Sequence, residues 1–189
     1  MNKLEEFIKN EGAAFPGKTY VEELLKPVFN DQRDYLFHVM FDIHRAHVIM
    51  LAEQGIIEQD EAKVMLEGIN KVAVTDVGQL NYEPQFEDLF FMMEAKIGEE
   101  IGAELAGKIH IGRSRNDMGV AMYRLVLREH LVNLLGSAYQ LSEALLEQAE
   151  SHTDTIITGY THTQPAQPTT LGHYFLAIYD VLGRDIQRL

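Results

Sequence analysis

Cysteine is absent from the 189 residues, which excludes disulfides, thiolate metal sites and cysteine nucleophiles. No run approaches about 18 uncharged apolar residues, so no membrane-spanning helix is expected. The opening MNKLEEFIKNEG is charged throughout and lacks the apolar stretch of a signal peptide, which makes the cytoplasm the default location. Positive charge is scarce. Sixteen Lys and Arg stand against 29 Asp and Glu, and a net charge of −13 argues against nucleic acid as a partner. Strand-like alternation, repeats and low-complexity tracts are also missing. With 46% apolar and 24% charged residues, the chain suits one globular domain or slightly more.

The charge is uneven. Residues 1–107 carry 9 basic and 21 acidic side chains, whereas residues 108–189 carry 7 and 8. Lys108, Arg113, Arg115, Arg124 and Arg128 make a local cationic spot. It suits a small anion, or it is a solvated helix face.

Helical spacing dominates. Asp31 is placed to cap a helix running to Gln54, with Gly55 as its stop. Further helices are predicted over 59–74 and 86–105, with Pro84 as a break between them and Gly107 and Gly112 bracketing a short loop. From Asn116, the residues Val120, Tyr123, Leu127, Leu131, Leu134, Ala138, Leu141, Leu145 and Ala149 step by threes and fours. At about 1.5 Å per residue this stripe is roughly 45 Å long and implies a helical bundle, one shared between subunits. Residues 153–170, rich in Thr with Gly159, Pro165 and Pro168, read as a loop. Thr169 or Thr170 then caps a last helix that shows no stop before Leu189, so the chain is expected to continue in a longer protein. The expected fold is all-α, with an N-terminal helical domain over 1–112 and the first long helices of a central bundle over 113–189.

Four segments bear on chemistry. Residues 12–19, GAAFPGKT, match a phosphate-loop pattern, but a half-charged helical stretch precedes them and Pro16 removes a backbone N–H, so a Gly-Pro turn is expected. His38, His44 and His47 share one helix without a third ligand on the right face and are read as packing or substrate-facing groups. The stretch GKIHIGRSRND, 107–117, sets Arg113, Ser114, Arg115 and Asn116 at a helix start, where arginine forks and helix-terminal N–H groups suit a carboxylate or phosphate. The alternative is a polar cap with solvated arginines. The stretch TGYTHTQPAQP, 158–168, offers Thr161, His162 and Gln164; His162 is either a proton-transfer group or an ordinary surface histidine.

Together the two later segments resemble the argininosuccinate lyase family, within the fumarase/aspartase superfamily. The family's G-K-x-H-x-G-R-S-R-N-D is similar to residues 107–117, and its T-H-x-Q-x-A-Q-P-x-[ST]-x-G-H to Thr161–His173. Weaker likeness lies in AHVIML, 46–51, and EDLFFMME, 87–94. The resemblance implies a helical homotetramer whose sites are shared between subunits, a dicarboxylate substrate, and elimination of an amine from a succinyl group to release fumarate. Argininosuccinate would give arginine. Neither a metal nor an organic cofactor is implied. It further implies substrate contacts from Arg113, Ser114, Asn116, Thr161 and Gln164. Arg115 either contacts substrate or orients the loop, and His162 supplies or orients the acid.

Three positions depart from the family pattern. Phe90 stands where the family has histidine, His44 where it has serine, and Met118 where it has glutamine. Another N-succinyl amino compound, such as an aminopolycarboxylate, is therefore an alternative substrate. A non-catalytic crystallin-like homologue is an alternative of another class. The family's glycine–serine–serine loop with its catalytic base has no match in the sequence. It is expected beyond Leu189, and the 189 residues alone are expected to be inactive.

Overall fold

The computed structural model describes residues 3–12 and 15–189; Met1, Asn2, Ala13 and Ala14, and with them the middle of GAAFPGKT, lie outside the described residues. The chain is predominantly helical, as expected, and divides into two compact units, Met1–Val126 and Leu127–Leu189. Among the described residues no helix is long and apolar enough to cross a membrane.

The first unit begins with α1, Lys3–Glu11. A helix, not the strand a phosphate loop requires, thus precedes Gly12, and the Glu11 carboxylate accepts from Thr19 N at 2.8 Å. The short α2 (Lys18–Tyr20) and α3 (Lys26–Asp31) are joined to each other and to α4 (Phe37–Glu53) by two wide π-type turns, Val21–Leu25 and Gln32–Leu36. Asp31 therefore does not cap a helix. It has helical angles within this run and makes no capping bond. Gly55 does end α4, with φ at +65°. Helix α5, Gln59–Ala73, opens with a reciprocal box between Glu58 and Glu61 and buries Ala62, Met65, Ile69 and Val72 at helical spacing. Helix α6, Leu89–Ile101, starts three residues later than expected because the Asp88 carboxylate caps it, accepting from Phe91 N at 3.2 Å. The expected 86–105 helix is also broken at Gly102, φ +84°, after which α7 runs Ala103–Lys108. Gly107 lies in α7, so only Gly112, φ +75°, turns the loop.

The core of this unit is built from Phe29, Phe37, Met40, Phe41, Val48 and Leu51 against Met65, Ile69, Leu89, Phe90, Met92, Met93 and Ile97. Met118 and Met122, in the first turns of α8 (Arg115–Ser151), complete it. Burying each such side chain contributes about 1.5–3 kcal/mol, so the start of α8 is anchored by packing as well as by its cap.

In the second unit the stripe of α8 is largely open: Leu127, Leu134 and Leu141 are each more than half exposed. Only Leu145 and Ala149 near its end are buried. Residues 153–170, expected as a loop, instead form an antiparallel hairpin of β1 (Ile156–Thr161) and β2 (Gln164–Thr170). Pairs run from Ile156–Thr170 to Thr161–Gln164, with an irregularity at Gly159. Prolines are tolerated because a two-stranded ribbon consists only of edges. The Thr170 hydroxyl then caps α9, Leu171–Ile186, accepting from His173 N at 3.2 Å. At the start of α9, Gly172 comes so near the end of α8 that an added Cβ would lie 2.6 Å from the Ala149 carbonyl oxygen.

Candidate active site

The sequence-predicted residues fall into two clusters. Arg113, Ser114, Arg115 and Asn116 lie in the first unit, and Thr161, His162 and Gln164 in the second.

The first cluster is a built turn. With Gly112 reversing the chain, Arg113 N donates to His110 O at 3.2 Å. Ser114 is the N-cap of α8. Its N–H and Oγ each donate to Asp117 Oδ2 at 2.8 Å, and Asp117 N reaches back to Ser114 Oγ at 3.4 Å. These bonds from the Ser114 backbone and side chain hold the Asp117 carboxyl below its ordinary range. Both residues face solvent, as does Asn116. The cap and the candidate anion site are thus one structure: the helix N-terminus presents its dipole where Asn116 is exposed.

The two arginines have different partners. Arg115 donates through Nε to Asp88 Oδ2 at 2.7 Å, and its Nη2 meets the same oxygen. Burial works against the Arg115 charge, but the bonds to Asp88 outweigh it and raise its pKa. Asp88 is fully buried and well supplied with donors. Gln32 Nε2 donates to it at 3.1 Å, while Gln32 Oε1 accepts from Leu89 N at 3.0 Å. The wide turn at 32–36 carries Gln32 into the interior.

Arg113 has no such carboxylate. Its Nη2 donates to His44 Nδ1 at 2.6 Å, and its Nη1 points at Met118 Sδ at 2.9 Å. Burial pushes the guanidinium pKa down to about 10, partly offset by the charge of Glu94. His44 is completely buried, and burial, then the Arg113 charge, pushes its pKa well below 6.5. His47 donates from Nε2 to Ile111 O at 3.0 Å and holds the turn from the other side. Two of the three helix histidines therefore organise the 110–114 turn.

In the second cluster, Thr161, His162 and Gln164 are all exposed at the hairpin tip. Among the described residues, the non-glycine positions with positive φ are His162 (46°) and Thr163 (64°). Such a two-residue turn matches the twist of a hairpin, but for a β-branched residue it stores about 1–3 kcal/mol of strain. The β-branched residue is Thr163, next to the candidate proton-transfer residue His162.

Sequence reasoning missed Asp88, Gln32 and the role of His44. Asp88 had a usable signal, a carboxylate immediately before the first residue of an apolar helix. Gln32 and His44 had none, since their partners lie 56 and 69 residues away.

A family model described as lyase matches residues 28–189. The chain belongs to this lyase family, in the fumarase/aspartase superfamily. It is 36% identical over 181 residues to argininosuccinate lyase 2 of Agrobacterium fabrum, covering 95% of this chain and 36% of that protein. It is 38% identical over 169 residues to argininosuccinate lyase of Methanosarcina barkeri, covering 89% of this chain and 34% of that one. In structure it is similar to an EDDS lyase variant solved with bound fumarate, at 34% identity and a TM-score of 0.71, over 100% of this chain and 36% of that one. The chain thus spans about a third of the length of these relatives.

Proposed function

We propose that this chain is part of a carbon–nitrogen lyase that eliminates fumarate from argininosuccinate and releases arginine. The observation that carries the reading is the GRSRND turn: a capped helix start with Asn116 exposed, one arginine neutralised by Asp88 and a second without a carboxylate partner. Removing a proton from the carbon next to a carboxylate builds a dianion, and donors fixed before the reaction stabilise it without reorganisation. Arg113 and Asn116 supply those donors, Ser114 joins them when its hydroxyl turns from Asp117 to the substrate, and Thr161 and Gln164 are further contacts. Arg115, bound to Asp88, orients the turn. His162 delivers or orients the proton for the departing nitrogen. The family's base loop has no match in these residues, so the 189 residues alone release no fumarate. A homotetramer in the cytoplasm, built on the open stripe of α8, belongs to the same proposal.

A second reading has its own support. Likeness to an EDDS lyase, together with Phe90, His44 and Met118 at the departing positions, favours another N-succinyl amine as substrate. The test is a panel on the full-length protein, following fumarate by its ultraviolet absorbance. Release from argininosuccinate is expected; release only from an aminopolycarboxylate transfers the assignment to the second reading.

A further inference from the structure

The three departing residues lie far apart in sequence and meet around one side chain. His44 Nδ1 and Met118 Sδ are the two acceptors of the Arg113 guanidinium, and Phe90 stacks on the His44 ring at 6.1 Å and 11°. A guanidinium has only donors, so Nδ1 must accept and the ring proton must sit on Nε2. His44 is therefore neutral. It is wholly buried, with Phe90 against one face, Phe41 at 6.3 Å, and the positive or titratable groups Arg113, His110, His47 and Arg45 around it. None of these surroundings favours a second proton.

Neither nearby carboxylate touches Arg113. Asp88 is bound by Arg115 and Gln32, and Glu94 contacts His110 Nε2. Arg113 thus touches only uncharged acceptors, one of them a weak thioether. Three buried atoms of this neighbourhood, His44 Nε2, Arg113 Nε and Glu94 Oε1, have no hydrogen-bond partner among the described residues. Glu94 acts on Arg113 through its charge and not through an ion-pair contact.

We infer that His44 is a positioning residue for Arg113: it holds the guanidinium with a neutral acceptor, so that no carboxylate among the described residues touches the positive charge and it is left to a substrate carboxylate. The inference rests on the lyase reading and deepens it. A carboxylate at position 44 would hold the arginine equally well but cancel its charge. An apolar residue would leave the charge but release the side chain toward Glu94. Only a neutral acceptor does both tasks, and Met118 and Phe90 complete its seat.

The test is fumarate affinity by titration calorimetry on the full-length protein, with thermal unfolding as the check on folding. His44→Gln keeps a neutral acceptor and is expected to bind fumarate within about threefold of wild type. His44→Glu is expected to weaken binding by about tenfold or more in a folded protein. His44→Leu, which packs without accepting, is expected to weaken it by a similar factor, so the order remains readable if the glutamate variant does not fold. A purely packing role predicts that leucine does no worse than glutamine. Folded variants that all bind like wild type, or a glutamine variant as weak as the others, overturn the inference while leaving the lyase reading intact. Wild-type protein that binds no fumarate overturns both.

Discussion

The turn at 107–118 and the hairpin at 156–170 each carry candidate site residues, yet they are built in opposite ways. The turn is embedded. Met118 behind it and Ile109 before it are buried, Asp88 and His44 grip its arginines from other helices, and Ser114 and Asp117 close the cap. The hairpin carries Thr161, His162 and Gln164 on exposed backbone with a strained tip. In the turn, the candidate residues share their side chains with the packing of the fold; in the hairpin, the candidate residues stand apart from it. A buried charge needs a partner wherever it sits, so the turn must be completed by the fold around it. An exposed histidine needs none.

That contrast is most sharply broken or upheld by His162→Asn. Asparagine tolerates positive φ, so unfolding free energy should change by less than about 0.5 kcal/mol. Turnover of the full-length protein should nevertheless fall by a factor of about 10² to 10⁴. A matching loss of stability, seen in denaturant titration, would erase the distinction.

In the turn, Asp88→Asn should behave in the opposite way. It removes the charge that holds Arg115 and weakens the cap of α6. The expected loss is about 3 kcal/mol, toward the low end for a buried pair because Arg115 keeps 36% of its side-chain surface in water. Chemical denaturation checks it, and a loss under about 1 kcal/mol would show that the pair is a surface contact.

Next comes pH. His44 is neutral when folded and its pKa lies below 6.5, so the unfolded chain binds the extra proton. Its contribution is complete above pH 6.5 and is lost as pH falls below that value toward the folded pKa. Arg113, His110, His47 and Arg45 around it act in the same direction. Denaturation midpoints at about pH 7.5 and about pH 5 should separate, and the separation should shrink in His44→Gln. An unchanged separation would place the acid sensitivity elsewhere. The smallest effect is expected from Ser114→Ala, about 1 kcal/mol from the lost cap.

The same contrast explains what the sequence made legible. Long helices announce themselves through period, and α5 and α8 fall within two residues of their expected bounds. Both candidate motifs were visible because glycine, arginine and proline at fixed spacing carry local meaning. The hairpin was not, because Gly159, Pro165 and Pro168 are breakers in a sheet interior and harmless in a two-stranded ribbon. The partners of the arginines were hidden for a different reason. Gln32, His44 and Asp88 look ordinary until α3, α4 and α6 bring them to one place, and no local pattern encodes that meeting.

The most direct measurement is fumarate release by the full-length protein carrying this chain, wild type beside His162→Asn, with succinyl-amine substrates including argininosuccinate. The account predicts release by the wild type and its near loss in a variant that unfolds at the same denaturant concentration. Folded wild-type protein that releases no fumarate from any of them would contradict it.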